Sequence, residues 1–560
     1  MSGGTHPNDR LSRAGRILLL AAASGFALLL FSGLAHPLFW SDEADTAMFG
    51  RRIIEFGYPK VHDGRNVVYQ FGSNLALGVD ERSDAYIGTT WGQFYFAAPG
   101  VRWAEGVADP GAKTARVRLP FAVAGALGLA LFAASVWPAV PRGRQALFSA
   151  LFFACACVSI SLVLHLREAR YYALVVLLVG ALVFAQLRFA VFHSLGVRGY
   201  TAAVTALLFL LFNTFFTAFF SLFAVLALER GRHGPRALLP LLPALVAVAP
   251  LLVYFETFSI AAAFSRELSL GPRGLLENLG IVGSHLLGHE FLLPALGCRA
   301  ALLGCDAMAR RRGAAPEPGE ARAASGFLWL LTVVYAGIGL ANPLPMERYF
   351  VVLSPVLTLA FLLDAFSLVA AVSRGVAPAR RAAAARATVA AVMALVVAAR
   401  FSAVSELAGH VAALVTPVRG PIDFVVDWVR ERYPEPARLV IATNYEEEAL
   451  MYYLGSRVII GLALNNLAED RRLEPDLVIP RRRWRSSLPE VVAFLRHGRW
   501  ERFTLPVVDL HYNNIPALSR SRFLPDPHRF RTALPERAGD ALVIYQRVAS
   551  SKETGTSSGP

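Results

Sequence analysis

The chain has 560 residues, 55% of them hydrophobic, with a mean hydropathy of +0.46 and a formal net charge of +14. The apolar share comes in blocks of membrane-crossing length, which excludes one large soluble core and points to an integral membrane protein. The basic balance does not imply nucleic acid, because the arginines crowd short loops between apolar runs, where they set topology.

The first apolar run, 17–39, has no small-residue cleavage site after it and reads as a retained anchor. Further spans are predicted near 117–138, 145–164, 171–187, 237–255, 278–304, 325–341, 349–372 and 387–404. The run from Gly199 to Leu228 would make one helix of roughly 45 Å, too long for a ~30 Å hydrocarbon core. Split at Asn213-Thr214, it becomes a hairpin.

Charge selects the hairpin. Arg10, Arg13 and Arg16 put the amino terminus in the cytoplasm. The loops with Arg142/Arg144, Arg188/Arg198, Arg230/Arg232/Arg236, Arg310-Arg311-Arg312 and Arg374/Arg380/Arg381 then all fall inside. The expected fold is an α-helical polytopic membrane protein of about eleven transmembrane helices. The opposite face then gathers the loop 40–116, the segment His165 to Arg170, the Asn213-Thr214 turn, the loop 256–277 and the stretch Asn342 to Tyr349.

The tail from 417 falls on that face too and alternates helix with strand. Helices are expected at Ile422–Arg432, Tyr445–Leu454 and Leu488–Arg496. Strands are expected at Arg438–Thr443, Arg457–Ile460, Asp476–Ile479, Phe503–Leu510 and Ala541–Val548. The expected division is therefore a membrane domain, 1–416, an extracytoplasmic α/β domain, 417–549, and a disordered tail, 550–560. No glycine-rich phosphate loop or internal repeat occurs. Cys155, Cys157, Cys298 and Cys305 read as buried thiols packing as small apolar groups.

Three clusters carry chemistry. Asp42-Glu43 follows the first apolar run, with Asp45 one helical turn from Asp42. Acidic residues suit a helix amino terminus, but a cap needs one carboxylate and this stretch has three. The alternative is a general base with a carboxylate neighbour. Arg167-Glu168-Ala-Arg170-Tyr171-Tyr172 sits at a span boundary, either as interfacial anchors or as guanidiniums for a lipid phosphate. Asn342-Pro-Leu-Pro is a rigid turn that would hold Glu347-Arg348-Tyr349 at fixed depth, making Arg348 a phosphate ligand.

Two weaker signals remain. His285 and His289 share a helix face at metal-ligand spacing, but Glu290 follows the second histidine, unlike the zinc-protease order; groove lining is the simpler reading. Glu446-Glu447-Glu448 reads as the solvated first turn of a helix.

Taken together, Trp40-Ser-Asp42-Glu43, Ala115-Arg116-Val-Arg118-Leu-Pro120, Arg167-Glu-Ala-Arg170-Tyr171-Tyr172 and Glu347-Arg348-Tyr349 with Ser354-Pro355 resemble the GT-C membrane glycosyltransferases. The closest branch is the dolichyl-phosphate-mannose-protein mannosyltransferase-like one (glycosyltransferase family 39/83-like). The resemblance spans roughly residues 15–375. It implies a polyprenyl-phosphate-linked sugar as donor and a lipid, polysaccharide or protein hydroxyl as acceptor. It further implies inverting transfer on the periplasmic face of a bacterial inner membrane. Asp42 would be the base, with Glu43 beside it as a catalytic residue. Arg167, Arg170 and Arg348 would hold the donor phosphate, and Tyr171, Asn213, Tyr349 and His289 would line the substrate groove. No cofactor beyond the lipid-linked donor is implied, and a divalent metal is left open. Two departures bear on acceptor and groove: Thr89-Thr-Trp91-Gly-Gln93-Phe-Tyr95 replaces a Pro-Pro-Leu stretch, and Asn213-Thr214-Phe-Phe replaces Thr-His-Tyr. The rival reading is a transporter or flippase of a lipid-linked intermediate, disfavoured by charges that gather at one face and not at the midplane.

Overall fold

A computed structural model describes residues 7–69, 78–229, 235–267, 271–313, 319–342, 346–401, 407–409, 411–412, 419–464, 466–509 and 537–548. The helices in chain order are α1 (Pro7–Phe31), α2 (Ser41–Phe56), α3 (Gly92–Ala104), α4 (Pro110–Ser135), α5 (Gln145–Val158), α6 (Ile160–Leu166) and α7 (Tyr172–Ala190). Then come α8 (Val197–Thr214), α9 (Phe216–Leu228), α10 (Leu241–Tyr254), α11 (Thr257–Glu267), α12 (Pro272–Gly288) and α13 (Leu292–Arg311). The last of the bundle are α14 (Glu320–Leu340), α15 (Leu353–Arg374) and α16 (Arg381–Ala399).

Among the described residues, eight helices are long and apolar enough to cross a membrane, and α9 and α10 are shorter apolar helices. The protein is a multi-pass, mostly helical membrane protein. The expected count of eleven spans is not confirmed, and three of the expected runs are interrupted. The first ends at Phe31, and its continuation to Phe39 is irregular. There, carbonyls that a helix would have used accept from guanidiniums instead: Ser32 O from Arg167 (2.5 Å), Leu34 O and Pro37 O from Arg118 (3.0 and 2.8 Å). The run 145–164 breaks at Ser159, whose hydroxyl meets Glu290 at 3.1 Å and Ser354 at 2.9 Å. The run 278–304 is two helices, α12 and α13, with the break at His289–Phe291. The tail 550–560 and the Pro343–Pro345 turn lie outside the described residues, as do Arg230 and Arg232.

The hairpin forms as the charge argument required. One extended residue, Phe215, separates α8 from α9. Tyr200 at the start of α8 donates to Gln186 (2.7 Å), and Gln186 lines the same cavity as Glu229 at the end of α9. Both helices therefore return to one level of the bundle. The loop 40–116 is no open loop, since it holds α2 and α3. Helix α4 starts on Pro110 with the Asp109 carboxylate accepting from Ala112 N at 2.6 Å, a proline-led capped terminus.

Beyond the bundle lies α17 (Pro421–Arg432), then β3 (Val440–Thr443), α18 (Glu447–Leu454), β4 (Arg457–Ile460), β5 (Leu477–Ile479), β6 (Trp500–Val508) and β7 (Ala541–Arg547). The sheet order is β4-β3-β5-β7-β6, with β4, β3 and β5 parallel and β7 antiparallel to both β5 and β6. A two-stranded ribbon, β1 (Val79–Asp80) and β2 (Ala85–Tyr86), lies within the first long connection.

This sheet region is bolted to the bundle end that carries α2. Tyr453 of α18 accepts from Phe39 N at 3.0 Å and meets the Thr114 hydroxyl at 2.6 Å. Asp423 of α17 takes Leu38 N at 3.0 Å and His36 at 2.8 Å, while Asn66 bridges Ser456 and Val458. The contact is polar, buried and specific.

Candidate active site

Asp42 occupies the first turn of α2. Its carboxylate lies 3.3 Å from Arg170 Nη2 and 3.4 Å from Arg348 Nη2. Two guanidiniums from distant segments therefore converge on one oxygen of Asp42, Oδ2. Arg170 is oriented further by Asp42 O (3.0 Å) and the Thr46 hydroxyl (3.2 Å). Arg348 lies over the Trp40 ring at 5.0 Å. Both guanidiniums are buried, yet Nε of Arg170 and Nε of Arg348 have no hydrogen-bond partner among the described residues. A buried N–H without an acceptor is costly, so two of them beside each other mark a place where an anion would be stabilised.

The arginines are spaced by one histidine. His165 Nδ1 is 2.9 Å from Glu168 Oε2, and its Nε2 is 3.9 Å from Glu347 Oε1. Glu168 is two residues before Arg170 and Glu347 directly precedes Arg348. The imidazole thus fixes the separation of the two segments that carry the guanidiniums. Sequence reasoning passed over His165, although its place inside His165-Leu-Arg-Glu168 was a signal for it.

Glu43 turns away from this cluster. Arg118 grips it in a fork, Nε to Oε1 at 2.8 Å and Nη2 to Oε2 at 2.5 Å, and Ala169 N donates to Oε1 at 2.8 Å. With no exposure and every near donor engaged, Glu43 ties α2 to α4 and to the 167–170 turn, a role for a positioning residue. Arg167 likewise points elsewhere, to Ser32 O. Arg118 entered the sequence reading only as part of a motif, because a buried pairing 75 residues away in sequence leaves no local trace.

Tyr171 stacks on Phe215 at 4.7 Å and lies under Arg170 at 5.3 Å. The Tyr349 ring is tilted against Phe215 at 5.8 Å. Those three rings form an aromatic wall beside the arginines. The Asn213 amide instead donates to Phe209 O at 2.9 Å, within its own helix. Its carbonyl abuts Gly92, where an added Cβ would come within 2.5 Å. His289 and His285 have ring centroids 5.8 Å apart, and Glu290 is engaged by Ser159. No group of three or more His, Cys, Asp or Glu residues suited to a metal occurs among the described residues. All four cysteines are free thiols.

The expectation for Glu446-Glu447-Glu448 is overturned. All three are buried, because the first turn of α18 packs on α2 and not on water. Glu446 pairs with Arg481, and Glu447 accepts from Leu462 N at 2.7 Å. Burial drives the carboxyls of Asp45 and Glu448 well above the usual carboxylate range, and their neighbouring carboxylates add to it. Asp45 is held back in part by Arg170.

No protein-family model and no curated protein matches the sequence. Among solved structures, the chain is similar to ArnT from Cupriavidus metallidurans bound to undecaprenyl phosphate, at 13% identity and a TM-score of 0.49, covering 95% of this chain and 98% of that one. The apo state of the same protein gives 13% and 0.49, over 94% and 97%. The apo oligosaccharyltransferase of Archaeoglobus fulgidus gives 11% and 0.47, over 88% of this chain and 69% of that one.

Proposed function

We propose that the protein is a membrane glycosyltransferase that moves a sugar from a polyprenyl-phosphate donor to an acceptor hydroxyl. The observation that carries this reading is the pair of open guanidinium Nε–H groups of Arg170 and Arg348 flanking Asp42. Two fixed cations with unsatisfied donors suit a phosphate, and the carboxylate between them suits a hydroxyl proton.

In the proposed step the acceptor oxygen attacks the anomeric carbon from the face opposite the phosphate. The new C1–O bond forms as the C1–O–P linkage breaks, the hydroxyl proton passes to Asp42, and the electron pair leaves with the polyprenyl phosphate. The configuration at C1 inverts. Arg170 and Arg348 stabilise the charge that develops on the leaving phosphate, and the donor's arrival draws both guanidiniums from Asp42, freeing its carboxylate to act as base. Tyr171, Phe215 and Tyr349 offer an apolar flank for the first isoprene units. The site belongs on the periplasmic side of the inner membrane if the arginine-rich loops lie in the cytoplasm.

The test is radiolabelled transfer in proteoliposomes with polyprenyl-phosphate sugars as donors. Asp42→Asn should lower turnover by about 10²–10⁴-fold, the range for a lost general base, while binding of polyprenyl phosphate is retained. Undiminished turnover by that variant removes Asp42 from the role. Accumulation of intact donor across the bilayer without transfer would favour the flippase reading.

A further inference from the structure

Building on the donor reading, we propose that Glu448 of α18, together with Asp45 of α2, forms a closed subsite for the hydroxyls of the sugar being transferred. The C-terminal sheet region thereby contributes a specificity-determining residue to a site otherwise built by the bundle.

The three adjacent glutamates differ in what they do. Glu446 is taken by Arg481 and Glu447 by Leu462 N. Glu448 is 2% exposed, and its Oε2 has no hydrogen-bond partner among the described residues. Asp45 is also fully buried; neither of its oxygens has a hydrogen-bond partner, and its nearest cation is Arg170 at 3.7 Å, which Asp42 already shares. Helix α2 packs directly on α18, and the charges of Asp45 and Asp42 both reach Glu448. Other buried polar groups without partners lie nearby. Tyr172, whose hydroxyl is one of them, lies two residues after Arg170, and Thr90 and Gln93 flank the start of α3, the helix that packs along α2.

Buried carboxyl oxygens without partners therefore gather where α18 packs on α2. A polyhydroxylated ring supplies what is missing, since each hydroxyl can donate to a carboxyl oxygen and accept from a tyrosine or amide. A metal would also answer to carboxylates, but no group able to hold one is found among the described residues. The placement has a topological reason as well. Residues 444–448 form the turn at the carboxyl end of β3, the edge at which open α/β sheets present their ligand-binding groups.

The experiment uses the full chain in detergent and titrates bare polyprenyl phosphate alongside a panel of polyprenyl-phospho-hexoses and pentoses. In the wild type at least one glycosylated lipid should bind about tenfold more tightly than the bare lipid. In Glu448→Gln and Glu448→Ala, bare-lipid affinity should stay within about twofold while that preference falls about tenfold. An unchanged preference in both variants overturns the proposal and leaves the donor reading standing. Loss of bare-lipid binding in both makes Glu448 a structural residue and overturns it too. A wild type that binds no polyprenyl phosphate sinks the donor reading and this one with it.

Discussion

At the scale of single residues, the site depends on guanidinium geometry and not on charge alone. Arg348 reaches Asp42 through one terminal nitrogen while its Nε stays open and its plane lies on Trp40. An ammonium keeps the charge but has neither the second directed donor nor the flat face. Arg348→Lys and Arg170→Lys should therefore each lower turnover by about 10²–10³-fold, the scale of losing one preorganised donor to a developing anion. Steady-state kinetics with a saturating donor would check this; a loss confined to donor KM would show that the arginines only bind. Asp42, Arg170 and Arg348 were legible in the sequence because each sits at the end of an apolar run, where an ionised group needs a reason. The partners of Glu43 and Arg118 and the burial of Glu448 were not. Whether a carboxylate meets a fork, a backbone amide or nothing is decided by chain segments 75 to 400 residues away, and local pattern carries no record of it.

At the scale of elements, two devices hold the site in register. The first is the His165 bridge between Glu168 and Glu347, which couples the α6–α7 turn to the segment before α15. Its removal leaves Arg170 and Arg348 chemically intact but free to separate. His165→Ala should thus lower turnover by about tenfold or more while leaving polyprenyl-phosphate affinity largely unchanged, as small misplacement costs rate before binding. His165→Gln, whose amide NH2 can still donate to one of the two carboxylates, should recover part of the rate; identical losses in both variants would refute the positioning role. The second device is the close approach of α4 and α7. A Cβ on Gly128 would lie 2.7 Å from Leu177 N, and one on Gly180 would lie 2.8 Å from Gly128 O. Small residues permit such helix contact within a membrane. Gly128→Leu should lower the thermal midpoint and folded yield, measured by size-exclusion profile after heating, because backbone atoms cannot move aside as a flexible side chain would. The hairpin break between α8 and α9 and the five strands of the tail's sheet could be read from periodicity and charge, whereas the short helix Leu467–Asp470 was not expected. The breaks at Ser159 and near Glu290 could not, since the hydroxyl–carboxylate contact that joins them links residues 131 positions apart.

At the scale of the whole molecule, the sheet region is a structural part of the site, because α18 presses a turn of three glutamates against α2. That turn is stabilised from behind by Arg481, which serves two carboxylates at once: Glu446, and Asp509 at 2.6 Å. One cation cannot neutralise two buried anions, and Glu447 adds a third negative neighbour. Burial and this crowding outweigh the attraction of Arg481 and push the Glu446 carboxyl up to about 7 from its ordinary value of 4.5. The folded chain therefore keeps a proton across that interval which the unfolded chain has lost. The sign follows from linkage: the state binding more protons is favoured as pH falls, so this contribution is complete below about 4.5 and fades as pH rises through about 7. Glu446→Gln carries the neutral form permanently and should flatten that part of the profile. Thermal unfolding of the full chain between pH 5 and pH 8 should show the wild type losing stability relative to Glu446→Gln as pH rises. Parallel profiles would mean that Glu446 is ionised throughout, held by Arg481 alone. A relative loss concentrated between pH 5 and about 7, levelling off above, is the result expected of a folded-state carboxyl raised to about 7.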